Sequence, residues 1–83
     1  MTEKEYLEKE ITQAFDDVIF EAVRNSDVSD FLLGIIVFST IADATQIFKE
    51  NFTSKRFKSN LSITEIETMI DDISEKTRKK YLG

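Results

Sequence analysis

The residues of this sequence whose spacing could support acid–base or metal chemistry are its closely spaced carboxylates. Asp16-Asp17 and Asp71-Asp72 are adjacent pairs, and adjacent residues of a helix diverge by about 100°, so neither pair can act jointly on one substrate atom. A spacing of three residues brings carboxylates onto one helical face, as in magnesium sites between helices. Such sites need several inward-facing acids on adjoining helices, whereas the pairs with this spacing lie on predicted polar faces at opposite ends of the chain: Glu5 with Glu8, and Asp72 with Glu75.

Other catalytic arrangements lack their essential residues. The sequence contains no histidine and no cysteine, so the usual general base, the usual metal ligands and the thiol nucleophile are all missing. Gly34 is the only internal glycine, which excludes glycine-rich phosphate loops and calcium loops. We therefore predict that the protein is not an enzyme and uses neither a cofactor nor a metal ion.

One basic segment has the composition of a site for an anion. The segment Lys55-Arg56-Phe57-Lys58 places an aromatic ring among three cations, a combination that can hold a phosphate and stack a base. It supports an alternative function, in which an oligomer binds a small anionic ligand such as a nucleotide messenger. The other interpretation of this segment is a solvated loop. A second basic group at the end of the chain suits a helix C-terminus or a contact with an acidic helix of another subunit: Lys76, Arg78, Lys79 and Lys80.

The elements that position these residues are predicted to be three helices. Proline is absent, and apolar residues recur at spacings of three and four within about residues 3–24 and 62–82. Capping boxes, Thr2 with Glu5 and Ser62 with Glu65, mark the starts of the first and third helices. The second helix is predicted over about 29–50, and a polar basic loop over 51–61. The fold class is therefore all-α, a small three-helix domain in which all 83 residues form one helical hairpin or bundle.

The centre of the sequence, DFLLGIIVFSTIAD at 30–43, is apolar on every side of a helical wheel. A β-strand is the alternative, because IIVFST is rich in β-branched and aromatic residues, yet no other segment could pair with it. A helix that is apolar all round is normally buried, and two further helices of one chain cannot cover it. We therefore predict an intertwined homodimer or higher homo-oligomer whose core contains Phe31, Leu32, Leu33, Gly34, Ile35, Ile36, Val37, Phe38 and Ile41.

Composition and charge restrict the environment and the partners. The net charge of −5 argues against a general nucleic-acid binder, and the absence of cysteine suits a reducing compartment. The uncharged run of twelve residues is shorter than the roughly 20 that cross a bilayer, and the charged N-terminus does not resemble a signal peptide. We therefore predict a cytoplasmic protein without membrane contact. Its richness in Lys, Glu, Ile, Asn and Phe is compatible with an AT-rich bacterial or phage genome.

The leading functional hypothesis is a non-enzymatic regulatory or inhibitory module that binds another protein. The first helix is strongly acidic, and an acidic face can enter a basic groove by electrostatic steering and complementarity. Tyr6 and Phe20 fall outside the apolar stripe of that helix, and exposed aromatic residues are enriched at interfaces. The predicted partner surface consists of Tyr6, Glu8, Asp16, Asp17, Phe20 and Glu21.

Overall fold

Three helices and two short connections make up the whole chain in the computed structural model, which describes residues 1–83. The helices are α1 (Glu3–Arg24), α2 (Asp30–Phe52) and α3 (Ile63–Leu82). The prediction of an all-α chain with three helices is confirmed, and the strand alternative for residues 30–43 is wrong. The predicted bounds of α1 match the structure, whereas α2 continues two residues further than predicted and shortens the second connection to 53–62.

The helix starts follow from side-chain caps. Thr2 Oγ1 accepts a hydrogen bond from the Glu5 backbone N–H at 3.1 Å. Ser29 Oγ accepts one from Leu32 at 3.4 Å, which makes Ser29 the cap of α2. Ser62 and Glu65 form the complete capping box predicted for α3, each side chain accepting from the backbone N–H of the other. Because an N-terminal cap contributes about 1 kcal/mol, these local contacts help to fix where each helix begins.

A single apolar core lies between the three helices. Four residues of α1 at spacings of four, Leu7, Ile11, Phe15 and Ile19, project into it and are almost completely buried. Phe15 contacts Phe48 edge to face, with ring centroids 4.9 Å apart, and further edge contacts continue from Phe48 through Phe52 to Phe57. The remaining core residues are Val37, Ile41 and Ala44 of α2, and Ile66, Met69, Ile70, Ile73 and Thr77 of α3.

Two contacts show how α2 and α3 lie against each other. The Thr45 hydroxyl donates a hydrogen bond to the Ser74 hydroxyl at 2.9 Å, and Lys49 Nζ lies 2.7 Å from the Asp71 carboxylate. From Thr45 to Lys49 the residue numbers of α2 rise while those of the paired α3 residues fall, so the two helices are antiparallel. Continuing this pairing towards the start of α2 places Phe38 level with the last residues of α3. The first two turns of α2 therefore extend beyond the end of α3 at Leu82.

Candidate interaction surfaces

The most prominent surface feature is an uncharged apolar face on the first half of α2. It consists of Phe31, Ile35, Phe38 and Ala42, which we call the α2 stripe. Phe31 is 77% exposed and Phe38 is 53% exposed, and Ile35 and Ala42 are also exposed. Contiguous apolar surface of this kind usually marks a site of interaction with a protein or a membrane.

The N-terminal half of the stripe is exposed because α3 ends beside it. Residues seven apart lie on the same side of a helix. Phe31 and Phe38 therefore lie on the same side of α2 as Thr45, which forms a hydrogen bond to α3. Ile35 and Ala42 lie in the row of Lys49, which also bonds to α3. Towards its C-terminus this side of α2 is covered by α3; towards its N-terminus the covering helix has ended. Exposure rises accordingly, from the half-buried Thr45 through Phe38 to Phe31.

The residues predicted to form the oligomer core are divided by the structure into three groups. Val37 and Ile41 are buried in the core of the single chain, and their part in an oligomer core stays a prediction. Ala42 belongs to the exposed face although it was not predicted, and its spacing of seven residues from Ile35 is a signal that could have found it. Of the other predicted residues, Phe31, Leu32, Ile35 and Phe38 are exposed, and Leu33, Gly34 and Ile36 are half-buried.

Gly34 lies beside an apolar groove at the same end of the bundle. A Cβ at this position would meet no atom of the rest of the chain within 4 Å, so no neighbouring element of the chain explains the glycine. The groove has a volume of about 440 Å³, and residues of all three helices form its walls, among them Phe20, Leu33 and Tyr81. It joins the exposed side of α1 to the first turns of α2.

The predicted partner surface on α1 is only partly continuous. Tyr6 and Phe20 are exposed and lie fourteen residues apart, which places them on one side of the helix. Asp17 and Glu21 are exposed on the same side. Arg24 lies 5.9 Å from the centre of the Phe20 ring and forms an ion pair with Glu21 at 3.2 Å. These residues form a mixed acidic and aromatic face on α1.

Two other acids of the predicted partner surface lie against α3. The Asp16 carboxylate accepts a hydrogen bond from the Tyr81 hydroxyl at 2.9 Å and lies 3.4 Å from Lys80 Nζ. This carboxylate raises the pKa of Lys80, and partial burial together with the same hydrogen bond raises the pKa of Tyr81. Glu8 is half-buried in a groove formed with α3. The basic end of α3 thus pairs with α1 inside one chain.

The basic connection does not gather its charges around one cavity. Lys55, Arg56 and Lys58 are exposed, and the Phe57 ring is half-buried, 5.0 Å from the ring centre of Phe52. Lys58 borders a groove of about 920 Å³ whose other charged residues are the acids Glu3 and Glu10. Anion binding by residues 55–58 therefore stays a prediction, and the packing of Phe57 leaves less of its ring free to stack a base.

Glu3 holds the connection before α3 against the start of α1. Its carboxylate accepts hydrogen bonds from the Ser59 hydroxyl at 2.5 Å, the Asn60 backbone N–H at 2.9 Å and the Asn60 side-chain amide at 3.1 Å. Because these bonds favour the ionised form, that from Ser59 most strongly, they lower the pKa of Glu3 below its usual 4.5. Nothing in the sequence marks this contact, since its partners lie more than fifty residues away.

This contact predicts a pH dependence of stability. A carboxyl group whose pKa is lower in the folded state stabilises the fold above its unfolded pKa, and that contribution is lost as the pH falls through the folded pKa. We expect Glu3→Gln to lower the free energy of unfolding at pH 7, with a smaller difference from the wild type below the usual value of 4.5. Urea unfolding at pH 7 and pH 3 measures both differences. Glu10→Gln is the control, and an equal loss in both variants would contradict the role of the Glu3 contact.

No group of three or more acids is placed where it could hold a metal ion. By length and composition α2 could cross a membrane, a test that core helices of soluble proteins also pass. Comparisons of the chain with protein-family models, with curated proteins and with solved structures found no match. The functional argument therefore depends on the surfaces described above.

Proposed function

We propose that this protein is a non-enzymatic regulatory or inhibitory module that self-associates through α2 and binds another protein through the acidic face of α1. The observation that carries the proposal is the uncovered α2 stripe. Phe31, Ile35 and Phe38 together expose a large apolar area with no charged residue between positions 31 and 42. Complete burial of an exposed side chain of this kind is favourable by about 1.5–3 kcal/mol, and association gains the part of this energy that belongs to the area still exposed.

The face of α1 supports the second part of the proposal. Asp17 and Glu21 supply negative charge, while Tyr6 and Phe20 supply rigid aromatic surface. Aromatic anchors bordered by charges are a common composition for a protein-binding site, because the rings provide affinity and the charges steer and orient the partner. A basic surface on another protein is the complementary partner.

Sedimentation velocity over a range of protein concentrations tests the self-association. We expect a mass that corresponds to more than one 9.6 kDa chain at micromolar concentration. A single species with the mass of one chain at every concentration would remove the oligomer from the proposal.

Charge reversal on α1 tests the partner surface. Asp17→Lys/Glu21→Lys changes the net charge from −5 to −1, and we expect roughly a tenfold loss of the partner retained by the immobilised chain, because complementary charge is replaced by repulsion. Quantitative comparison of the proteins that each variant retains from a native cell extract measures the loss.

The control for charge reversal makes the same change in net charge elsewhere. Glu67→Lys/Asp72→Lys alters two exposed acids of α3, and we expect it to retain the partner as the wild type does. Equal losses in the two double variants would show that net charge, and not the face of α1, determines binding.

A further inference from the structure

The side of α2 that α3 leaves uncovered has the form of a helix-pairing face. We propose that a second copy of this chain covers it, with the two α2 helices antiparallel and Phe31 of each copy against Ala42 of the other. The inference rests on the proposed self-association and adds to it an orientation and a register. The proposal therefore assigns one occupant to the α2 stripe.

The charges around the stripe favour a protein over a lipid surface. No lysine or arginine occurs between residues 25 and 48, and the charged residues of that segment are Asp27, Asp30 and Asp43. Helices that lie on membranes carry lysine and arginine on their polar face, because the lipid surface is commonly anionic. The segment 25–48 lacks these cations, so its composition favours a protein over an anionic lipid surface as the occupant of the α2 stripe.

The chain exposes more surface than a compact monomer of its mass. The chain exposes 5,944 Å². A compact monomer of 9.6 kDa exposes about 5,100 Å², roughly 850 Å² less. Each partner in a standard protein interface loses about 800 Å². One interface of ordinary size per chain is therefore enough to remove the excess, with part of the excess due to the elongated shape of 44 × 22 × 18 Å.

The spacing of the stripe is that of a coiled-coil seam. Its residues follow one another at intervals of four, three and four, which is the alternation of the a and d positions of a heptad repeat. Two heptads give a short contact, and α3 runs beside its C-terminal half. Phe38 and Ala42 remain exposed there, which leaves room beside α3 for a helix of a second copy.

Side-chain volumes select the antiparallel orientation. In an antiparallel pair with its twofold axis between Ile35 and Phe38, every layer joins a larger to a smaller side chain: Phe31 faces Ala42, and Ile35 faces Phe38. In a parallel pair each residue faces its own copy, so two layers contain two phenylalanines each and the Ala42 layer contains two methyl groups. Packing at interior density disfavours both the crowded layers and the gap.

Helix dipoles and symmetry agree with this choice. Antiparallel helices place the positive end of each dipole near the negative end of the other, whereas parallel helices place like ends together. A twofold axis also makes the interface isologous, so that the same patch serves both copies and the assembly closes as a dimer.

The absence of cysteine allows a direct test of the register. A single introduced cysteine can form a disulfide only with another copy, so we choose Phe31→Cys and Ala42→Cys, both at exposed positions. Each variant is oxidised alone and in an equimolar mixture, and non-reducing denaturing electrophoresis measures the cross-linked dimer. Circular dichroism verifies that both variants keep their helices.

The antiparallel register predicts cross-linking in the mixture only. Equivalent residues of the two copies are offset by about 16 Å along the helix axis, since eleven residues separate positions 31 and 42 and each rises 1.5 Å. A disulfide requires Cα atoms within about 7 Å, so we expect at least about tenfold more cross-linked dimer in the mixture than in either variant alone.

Other outcomes distinguish the antiparallel register from self-association itself. Efficient cross-linking of each variant alone would establish parallel helices and overturn the inference. A wild-type dimer in solution with no cross-link in the mixture would also overturn the register, while self-association would stand. A wild-type protein that sediments as one chain at every concentration would overturn both.

Discussion

We expect the Phe38→Asp variant to sediment as a single folded chain under conditions in which the wild type is associated. Phe38 is 53% exposed in the single chain and lies in the middle of the α2 stripe, where the proposed association would bury an aspartate without a partner charge. Leaving a charge unpaired in an interface costs about 3–5 kcal/mol. Because 1.4 kcal/mol corresponds to a factor of ten, the association constant should fall by more than a hundredfold. Sedimentation velocity of the two proteins at equal concentrations measures the change.

An equally exposed phenylalanine elsewhere provides the matched control. Phe20 of α1 is 63% exposed, and Phe20→Asp introduces the same charge outside the stripe. We expect this variant to keep the wild-type mass. If both variants dissociate, charge alone opposes assembly; if neither does, the α2 stripe is not the interface. Far-ultraviolet circular dichroism establishes that both variants remain helical.

Phe15→Ala should have the largest effect on the fold itself. The Phe15 side chain is fully buried, contacts Phe48 edge to face and lies at the centre of the core. Truncation of a buried phenylalanine costs about 3–5 kcal/mol. A chain of this length has a total stability of roughly 4–12 kcal/mol, so the variant should lose a large part of it and unfold at much lower urea concentration.

Urea unfolding followed by circular dichroism measures this loss. The control is Phe20→Ala, which removes the same side chain from an exposed position of the same helix and should change the free energy of unfolding by about 0.5 kcal/mol or less. A loss of less than about 1 kcal/mol for Phe15→Ala would mean that Phe15 is not part of a well-packed core.

The helices and their starts could be predicted because they depend on short-range patterns. Ser62 and Glu65 satisfy each other's backbone N–H groups within one turn, and Leu7, Ile11 and Phe15 repeat at a helical spacing. The exposure of Phe20 could also be read from its wheel position. These features require no knowledge of where the other helices lie.

The parts that sequence reasoning missed depend on how the helices meet. Val37 and Ile41 could not be separated from Phe31 and Phe38 within the apolar run, because which of them is covered depends on the side of α2 that faces α1 and α3 and on the level at which α3 ends. The hydrogen bond between Tyr81 and Asp16 and the three hydrogen bonds of Glu3 join residues more than fifty positions apart. Local patterns carry no information about such contacts.

The contacts of Glu3 and Asp16 with opposite ends of the α3 region have a consequence for the order of folding. Glu3 accepts hydrogen bonds from residues just before α3, and Asp16 accepts one from a residue at the end of α3. The helices α1 and α3 therefore run parallel, although the whole of α2 separates them in the sequence. Closing the short connection between α2 and α3 requires ordering ten residues, whereas joining α1 to α3 encloses more than fifty. Since loop closure costs more entropy for longer loops, the α1–α2 hairpin, closed by residues 25–29, and the α2–α3 hairpin, closed by residues 53–62, can each form before α1 and α3 meet. The contacts of Glu3 and Asp16 with the α3 region would then form in the last step of folding.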